Sequence, residues 1–299
     1  MKGLELAESY YNEYGKKMID EEFSEYADRI AVGLVGEGSE CLGFDDRQSE
    51  DHDFEPGFCL FITEQDERRF GFKLERAYAK LPKEFMGYTR QRLSPVGGSR
   101  HGVIVIGEFY RKMLGYDGVP DSEEKWLCTP PHRFLAASCG KVFRDDLGEF
   151  TKIRQMLKNG YPERIRRKKI ADCLLLMAQT GQYNYERCIK RGEIGAAALA
   201  INEFVKNTVS VIYLLNNRYE PFYKWVFRGM RELSVLSELE DDLTLLLEMK
   251  NGEPELPIKL SLVEGIAEKI SMELCEQELS KASGNTLHAH AYSVIENRR

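Results

Sequence analysis

Apolar and polar positions follow two different patterns along the chain. In the first part, apolar runs at residues 30–38, 53–63 and 101–106 are short, whereas residues 4–27 and 64–81 carry apolar side chains at helical spacing. Short apolar runs between turn residues are typical of buried strands. The pattern therefore predicts a small mixed sheet with accompanying helices.

The second part of the chain is helical in pattern almost throughout. Its longest run, residues 193–217, is apolar nearly all round in its second half, which is typical of the central helix of a bundle. One more short strand is predicted at residues 139–146. Glycine and proline between positions 115 and 120 make that stretch the best candidate linker. We therefore predict an α+β protein, with a mixed-sheet domain at residues 1–120 and an all-helical bundle domain at residues 121–299.

Composition and charge argue against some classes of protein. The 299 residues carry a formal net charge of −7 and the pI is near 5.5, whereas a general nucleic-acid-binding protein is usually basic. No apolar run is as long as the about 18 residues that a membrane-spanning helix needs. The first residues lack the apolar core of a signal peptide. The seven cysteines are scattered and form no CxxC motif. Reduced thiols in a cytoplasmic protein are therefore expected.

One short stretch carries the candidate chemistry. The first predicted strand ends at Gly36, and Gly38 and Ser39 then begin a turn or short helix. Glycine lets the backbone approach a ligand closely, and the N–H groups at a helix start attract phosphate. After eleven intervening residues come Asp51 and Asp53. If these lie on a strand, their carboxylates project from one face, because residues two apart in a strand share a face.

The pair Asp51 and Asp53 would be electrostatically unfavourable alone, since like charges held close together repel. A divalent cation removes the repulsion, and Mg²⁺ sites usually combine one or two carboxylates with substrate phosphates. A phosphate-binding Gly-Ser beside such a strand is suited to metal-assisted nucleotidyl transfer. The alternative is a solvated, turn-rich acidic loop. Asp45 and Asp46 could support the site without touching the ligand or help to close the Gly-Ser loop; Asp46 could equally cap the following turn, the role we favour for it, and the role of Asp45 stays open.

Gly38-Ser39 followed by Asp51-His52-Asp53 resembles the signature of the DNA polymerase β-like nucleotidyltransferase superfamily. More closely, GSECLGFDDRQSEDHD is similar to a bacterial family described as nucleotidyltransferase-like. The resemblance continues through KWLCTPPHRFL, GKVFRDDLGEF and LLNNRYEPFYKW, and so covers most of the chain. The last of these segments, with the helix before it, resembles the helical substrate domain of kanamycin-type aminoglycoside nucleotidyltransferases.

This resemblance implies a fold, a substrate and a cofactor. The fold would be a small mixed sheet followed by a helical bundle, and an NTP, with ATP expected first, would bind with Mg²⁺ or Mn²⁺. By the motif match, Gly38 and Ser39 would contact the triphosphate, while Asp51 and Asp53 would hold the metal and act in catalysis. The acceptor would be a small hydroxylated molecule or a protein side chain.

The chain departs from the superfamily pattern at the third acid. Active members generally carry it on a later strand, and the corresponding run at residues 101–106 contains no acidic residue. Glu108 lies just beyond that run and could reach a metal only if the strand ends early; the alternative is that Glu108 interacts with a helix N-terminus. A second hypothesis is therefore a catalytically degraded nucleotide-binding sensor or regulator. A toxin–antitoxin-type transferase is less favoured because the helical partner is already part of the chain.

Candidate acceptor-binding residues lie in the helical part. Arg187, Arg191 and Glu193 stand near two tyrosines at the start of the longest helix, where they could bind a phosphate or an anionic acceptor. Lys224 lies between aromatic residues further on. The alternative for Arg187, Arg191 and Glu193 is a solvated helix–loop–helix corner, and the alternative for the segment around Lys224 is that its aromatic residues belong to the core. We expect a nucleotide and an acceptor as partners, with no membrane and no general nucleic-acid binding, and the chain could form a homodimer.

Overall fold

The computed structural model describes residues 1–51, 54–90 and 100–296, except the side chains of Glu50 and Asp51. The chain divides into two compact units, Met1–Asn159 and Gly160–Arg299, which we call the sheet unit and the helical unit. The predicted fold class, α+β with a small mixed sheet and a helical part, is confirmed.

Six short strands are described in the sheet unit. They are β1 (Ala31–Leu34), β2 (Cys59–Ile62), β3 (Glu84–Phe85), β4 (Tyr88–Thr89), β5 (Gly102–Val105) and β6 (Lys141–Arg144). Four of them form one sheet in the order β5-β2-β1-β6, and β3 pairs with β4 separately. Strand β1 is antiparallel to both of its neighbours, whereas β2 and β5 are parallel. The sheet is therefore mixed, as the sequence predicted.

Helices surround this sheet. The α-helices are α1 (Gly3–Tyr10), α2 (Lys16–Glu22), α3 (Ser39–Leu42), α4 (Glu64–Asp66), α5 (Phe72–Ala79), α6 (Ile106–Leu114), α7 (Glu123–Cys128), α8 (Pro131–Ser138) and α9 (Glu149–Lys158). A π-helical turn, Tyr11–Gly15, joins α1 to α2, and another, Glu67–Gly71, joins α4 to α5. Two 3₁₀ segments, Ser24–Arg29 and Arg47–Asp51, precede β1 and β2 respectively.

Every residue of β1 and β2 is buried. Aromatic side chains provide much of the packing: the ring centroids of Tyr10 and Phe58 are 5.8 Å apart, and Phe61 stacks on Phe150 with centroids 4.0 Å apart. Each fully buried aromatic ring removes about 150–250 Å² from water. This explains why the two central strands read as continuous apolar runs rather than as alternating ones.

The division between the units lies later in the chain than the boundary predicted at residue 120. Strand β6 pairs along β1, with Gly33 opposite Val142 and Leu34 opposite Lys141. The segment after the glycine- and proline-rich stretch therefore completes the sheet. Because a sheet cannot lose one of its hydrogen-bonded strands without exposing the neighbouring edge, β6 and the helices beside it belong to the sheet unit.

The helical unit contains no strand among its described residues. Its helices are α10 (Glu163–Met177), α11 (Tyr185–Lys190), α12 (Ile194–Leu215), α13 (Val226–Met230), α14 (Leu239–Glu248), α15 (Leu256–Glu276) and α16 (Leu287–Glu296). A π-helical segment, Ala178–Asn184, connects α10 to α11, and a 3₁₀ turn, Tyr223–Trp225, precedes α13.

Helix α12 is the central helix that the sequence predicted. It packs against α10, α11, α13 and α14. By length and composition it could cross a membrane, but 67% of its most apolar window is buried inside the protein. Such burial is typical of a core helix.

His290 in α16 is also buried. Its two ring nitrogens lie 2.9 Å from Ser280 Oγ and 2.9 Å from the Gly284 carbonyl oxygen, so both nitrogens of this imidazole are used in hydrogen bonds within the protein.

Candidate functional site

The loop that follows β1 has an unusual backbone. Gly36 and Gly38 adopt φ angles of 115° and 134°, which L-residues with a side chain rarely adopt. Ser39 then begins α3, which has only four residues. A single helical turn has little macrodipole, so any affinity of this loop for an anion would come from nearby backbone N–H groups and charged side chains.

Arg100 supplies a positive charge at this loop. Its guanidinium pairs with the Glu40 carboxylate and donates to the Glu37 carbonyl oxygen. A Cβ placed on Gly38 would collide with the Arg100 guanidinium and the Glu40 carboxylate. Arg100 was not predicted as a site residue, because it ends a glycine-rich loop with no periodic pattern. The sequence feature that could have indicated a role for Arg100 is its position directly before the predicted strand at residues 101–106.

A buried thiol helps to hold Arg100 in place. The Cys59 thiol, at the start of β2, donates to the Arg100 carbonyl oxygen at 3.1 Å. Burial raises the pKa of Cys59 to about 12, because the thiolate would lose its hydration. The thiol therefore stays protonated and remains a donor at neutral pH.

A cavity of about 230 Å³ opens beside the loop. Its charged lining residues carry both signs, and the remainder is mostly apolar. The residues that line the cavity are Val35, Gly36, Glu37, Arg100, Val103, Ile104, Glu108, Phe109, Lys112 and Met113. Small-molecule pockets usually measure about 300–1,000 Å³, so this cavity matches part of a nucleotide better than a whole one. Lys112 is a second basic residue at this cavity that was not predicted as a site residue.

Ser39 is connected to the acidic stretch. Its hydroxyl lies 3.2 Å from Ser49 Oγ. The Asp46 carboxylate accepts from the backbone N–H groups of Gln48 at 3.0 Å and Ser49 at 3.3 Å. The predicted local role of Asp46, capping the turn after it, is confirmed.

Asp45 has a structural contact of its own. Its carboxylate is buried, accepts from the Gly3 N–H at 2.8 Å and lies 3.3 Å from the Lys2 ammonium nitrogen. It thereby satisfies one of the unpaired N–H groups at the start of α1. The open question about Asp45 is thus answered by a role in anchoring the first helix.

The predicted metal pair is only partly described. Asp51 is the last residue of the 3₁₀ segment Arg47–Asp51, not part of a strand, and β2 begins at Cys59. The Asp51 side chain, His52 and Asp53 lie outside the described residues. Among the residues that are described, no group of three His, Cys, Asp or Glu could hold a metal ion. The metal assignment to Asp51 and Asp53 stays a prediction.

Glu108 lies in the helix that follows β5, because that strand ends before it. Strand β5 stops at Val105 and α6 begins at Ile106, so Glu108 falls in the first turn of that helix. The side chain is exposed and lines the 230 Å³ cavity. Glu108 therefore shares a cavity with Gly36 and Glu37 of the loop after β1, although it comes from a helix instead of the strand position that the superfamily pattern uses.

The predicted acceptor residues are on the surface of the helical unit. Arg187 stacks over the Tyr183 ring, with its Cζ atom 3.8 Å from the ring centroid. Arg191 directly follows α11 and Glu193 directly precedes α12, and both are exposed. Lys224 is exposed too, 5.4 Å from the Trp225 ring centroid.

A second cavity, of about 480 Å³, lies within the helical unit near Tyr183. It is lined by Leu175, Ala178, Gln179, Gln182, Tyr183, Thr286 and His288. The amide of Gln182 is held by Glu264 at 3.0 Å and by the Asn285 carbonyl oxygen at 3.0 Å. No local sequence pattern predicts this cavity, because its walls come from segments about a hundred residues apart.

A protein-family model and a solved structure are similar to this chain. A family model described as "Domain of unknown function (DUF4037)" matches residues 126–226. No curated protein matches the chain. Among solved structures, a nucleotidyltransferase-like protein from Exiguobacterium sibiricum is similar at 13% identity, with 94% of this chain and 90% of that chain covered and a TM-score of 0.37. That score is too low to assign a fold or a function.

Proposed function

We propose that this protein is a nucleotidyltransferase-like protein that binds an NTP, with ATP expected first, and transfers its nucleotidyl group to an acceptor. The observation that carries the proposal is the placement of the Gly38-Ser39 loop against the Arg100 guanidinium, at the edge of a cavity that also contains Lys112. Together with the Asp51-His52-Asp53 motif, this arrangement supports phosphate binding at the loop.

The residues of the loop would act by binding and orienting the phosphates. The Ser39 hydroxyl would exchange its contact with Ser49 for a phosphate oxygen. Arg100 would exchange the Glu40 carboxylate for a phosphate, and Lys112 would add a second charge from α6. Hydrogen bonds between charged groups are about twice as strong as neutral ones, so these two cations would provide much of the affinity.

A divalent cation, Mg²⁺ or Mn²⁺, would neutralise phosphate charge when bound. Asp51 and Asp53 are the residues proposed to hold it. The described lining of the cavity offers Glu37 and Glu108 as further carboxylates, which is compatible with a cation but does not by itself form a three-ligand group.

The acceptor is proposed to bind the helical unit. The 480 Å³ cavity has the size of a small-molecule site, and Thr286, Gln179 and His288 could hydrogen-bond to the hydroxyl groups of such a molecule. Tyr183, stacked under Arg187, offers an aromatic face beside them. This supports a small hydroxylated acceptor more than a protein side chain. Arg191, Glu193 and Lys224 remain proposed acceptor contacts.

A nucleotide-binding sensor without transferase activity is the second candidate. It is favoured by one observation: β5 carries no acidic residue, and the nearest acid beyond it, Glu108, is exposed on a helix. A sensor would need the phosphate contacts of Ser39 and Arg100 but no complete set of metal ligands.

Calorimetric titration of ATP, with and without Mg²⁺, tests both candidates. The variants are Asp51→Asn/Asp53→Asn and a matched control, Glu25→Gln/Asp28→Asn, which also removes two negative charges but at exposed positions of a 3₁₀ segment. We expect Mg²⁺-dependent binding to wild type and to the control, and loss of the Mg²⁺ dependence in the first variant.

Each outcome has a defined meaning. If wild type binds no nucleotide with any divalent cation, both candidates fail. If Asp51→Asn/Asp53→Asn binds ATP and Mg²⁺ as wild type does, the metal assignment fails. Pyrophosphate release with hydroxylated acceptors then distinguishes a transferase, which releases it, from a sensor, which does not.

A further inference from the structure

Two cysteines meet directly beneath the Gly36–Ser39 loop. Cys41 lies on α3, two residues after Ser39, and Cys139 lies between α8 and β6. Both pack in one apolar cluster with Leu34, and the two thiols shift each other's pKa, which requires them to be close neighbours. The backbones meet as well, since the Gly140 N–H donates to the Cys41 carbonyl oxygen at 2.8 Å.

We propose that Cys41 and Cys139 form a redox-active dithiol that takes a peroxide as its oxidant and closes to a disulfide. All seven cysteines of the chain are free thiols in this structure, so the structure corresponds to the reduced form. The part of the proposal that concerns nucleotide binding rests on the proposed function; disulfide formation does not.

The surroundings of the two thiols divide the roles between them. Interaction with the Cys41 thiol holds the pKa of Cys139 below its ordinary value, while the same interaction and burial raise the pKa of Cys41. Arg154 adds positive charge on the Cys139 side, because its guanidinium donates to the carbonyl oxygens of Cys139 and Gly140. Cys139 is also partly accessible, whereas Cys41 is 5% exposed. A partly exposed cysteine whose pKa is lowered, beside a second thiol, matches the usual form of a redox-sensing pair.

The reaction is balanced with hydrogen peroxide as the oxidant. The Cys139 thiolate attacks one peroxide oxygen, so an S–O bond forms, the O–O bond breaks and the departing hydroxide takes up the thiol proton as water. The Cys41 sulfur then attacks the Cys139 sulfenic acid, so the S–S bond forms and the S–O bond breaks. The Cys41 proton leaves with the second hydroxide as water. Two electrons pass from the two thiols to the peroxide.

The disulfide would change the loop through a specific hydrogen bond. In the reduced form the Cys139 thiol donates to the Gly36 carbonyl oxygen at 3.1 Å. Oxidation removes the S–H donor of Cys139, so the carbonyl oxygen of the buried Gly36 loses this hydrogen bond. The two sulfurs must also approach to about 2.05 Å, which pulls on α3 and on Ser39 at its start. We infer that oxidation weakens phosphate binding at the loop.

Peptide mapping under non-reducing conditions tests disulfide formation. Trypsin cleavage after Arg29 and Arg47 releases residues 30–47, in which Cys41 is the one cysteine, and cleavage after Arg133 and Lys141 releases residues 134–141, in which Cys139 is the one cysteine. After treatment of the full-length protein with hydrogen peroxide, we expect these two peptides to be linked, and the link to disappear on reduction.

Variants and ligand binding complete the test. Cys41→Ser and Cys139→Ser should each abolish the linked pair, whereas Cys128→Ser, at an exposed position of the same unit, should retain it. Mapping of wild type needs no variant and decides the proposal even if one of these variants fails to fold. Absence of the link at peroxide levels that oxidise Cys128, or linkage of Cys139 to another cysteine, overturns the proposal.

ATP titration of the linked and reduced protein separates this proposal from the proposed function. We expect at least tenfold weaker binding in the linked form, restored by reduction. Equal ATP affinity of both forms overturns the effect on the loop. If neither form binds ATP while the link forms, the proposed function fails and the dithiol stands.

Discussion

The α-carbon of Gly140 lies against the carbonyl oxygen of Leu34, and no room for a Cβ remains between them. Gly140 also adopts a φ angle of 77°. The close approach lets β6 begin next to the end of β1, and it brings Cys139 under the loop that follows β1. A glycine at this position therefore serves both the sheet and the candidate site.

Replacement of Gly140 by alanine should be strongly destabilising. The new Cβ would collide with the backbone of Leu34 and Val35, and the positive φ adds strain, so we expect a loss of roughly 2–3 kcal/mol in the free energy of unfolding. Chemical denaturation measures it. The control is Gly43→Ala, where φ is 75° and nothing lies within 4 Å of the new Cβ; strain alone should cost about 1–2 kcal/mol. Equal losses in both variants would show that the contact with Leu34 contributes nothing.

Removal of a cation from the cavity should weaken ATP binding. Arg100→Ala and Lys112→Ala each remove one charged donor, worth about 1.5–3 kcal/mol, so we expect a roughly 10–100-fold higher Kd in calorimetry. The matched control is Arg111→Ala on the same helix, whose guanidinium binds Asp117 at 2.8 and 2.9 Å and does not line the cavity. An unchanged Kd in both test variants contradicts phosphate binding at this loop.

Two cysteines of the sheet unit should differ sharply in reactivity. Cys59 is buried with a pKa raised to about 12, while Cys128 is exposed. Because the thiolate is the nucleophile, iodoacetamide at neutral pH should modify Cys128 and leave Cys59 unmodified until the protein unfolds. Mass spectrometry of peptides from native and denatured protein gives the answer. Rapid native modification of Cys59 would mean that the start of β2 opens readily.

Lys259 should make the stability of the helical unit pH-dependent. Its buried ammonium nitrogen donates to the Leu246 carbonyl oxygen at 2.8 Å and to Asn251 Oδ1 at 2.9 Å, and burial lowers its pKa. When the folded-state pKa is lowered, the unfolded state binds more protons between that pKa and the ordinary value of 10.5, so this contribution to stability rises with pH across that window.

The measurement for Lys259 compares wild type with Lys259→Met by denaturation at several alkaline pH values. Wild type should gain stability relative to the variant as the pH rises, by about 1.4 kcal/mol for each unit by which the pKa is lowered. The comparison cancels the opposite effect of buried tyrosines such as Tyr110, whose raised pKa makes both proteins less stable at high pH. A constant difference would contradict the burial of this lysine.

Local patterns predicted much of the fold. Strand β1, helix α12 and the short strand β6 follow from apolar runs and turn residues that neighbour each other in sequence. The domain boundary did not follow, because the pairing of β6 with β1 joins segments that are about a hundred residues apart, and no local signal reports it. The stretch around residues 115–120 has the composition of a linker but lies within the sheet unit.

The candidate site shows the same limit. Gly38 and Ser39 could be found because they form a short motif with conformational and chemical meaning. Arg100 could not, because its contact with Glu40 spans sixty positions and a basic residue in a loop has no periodicity. The strand placement of Asp51 was wrong because a 3₁₀ turn capped by Asp46 extends to that residue.

The pairing of β6 with β1 also bears on which fragment of the chain could be produced as a separate protein. The segment matched by the family model, residues 126–226, begins inside α7 and ends at the first residue of α13. It contains β6 but not β1, and it crosses from the sheet unit into the helical unit. A fragment with these limits would expose an unpaired edge of β6 and would lack α14, α15 and α16 of the helical unit. The segment that the family model matches is thus shorter than either compact unit, and its ends do not coincide with the ends of the units.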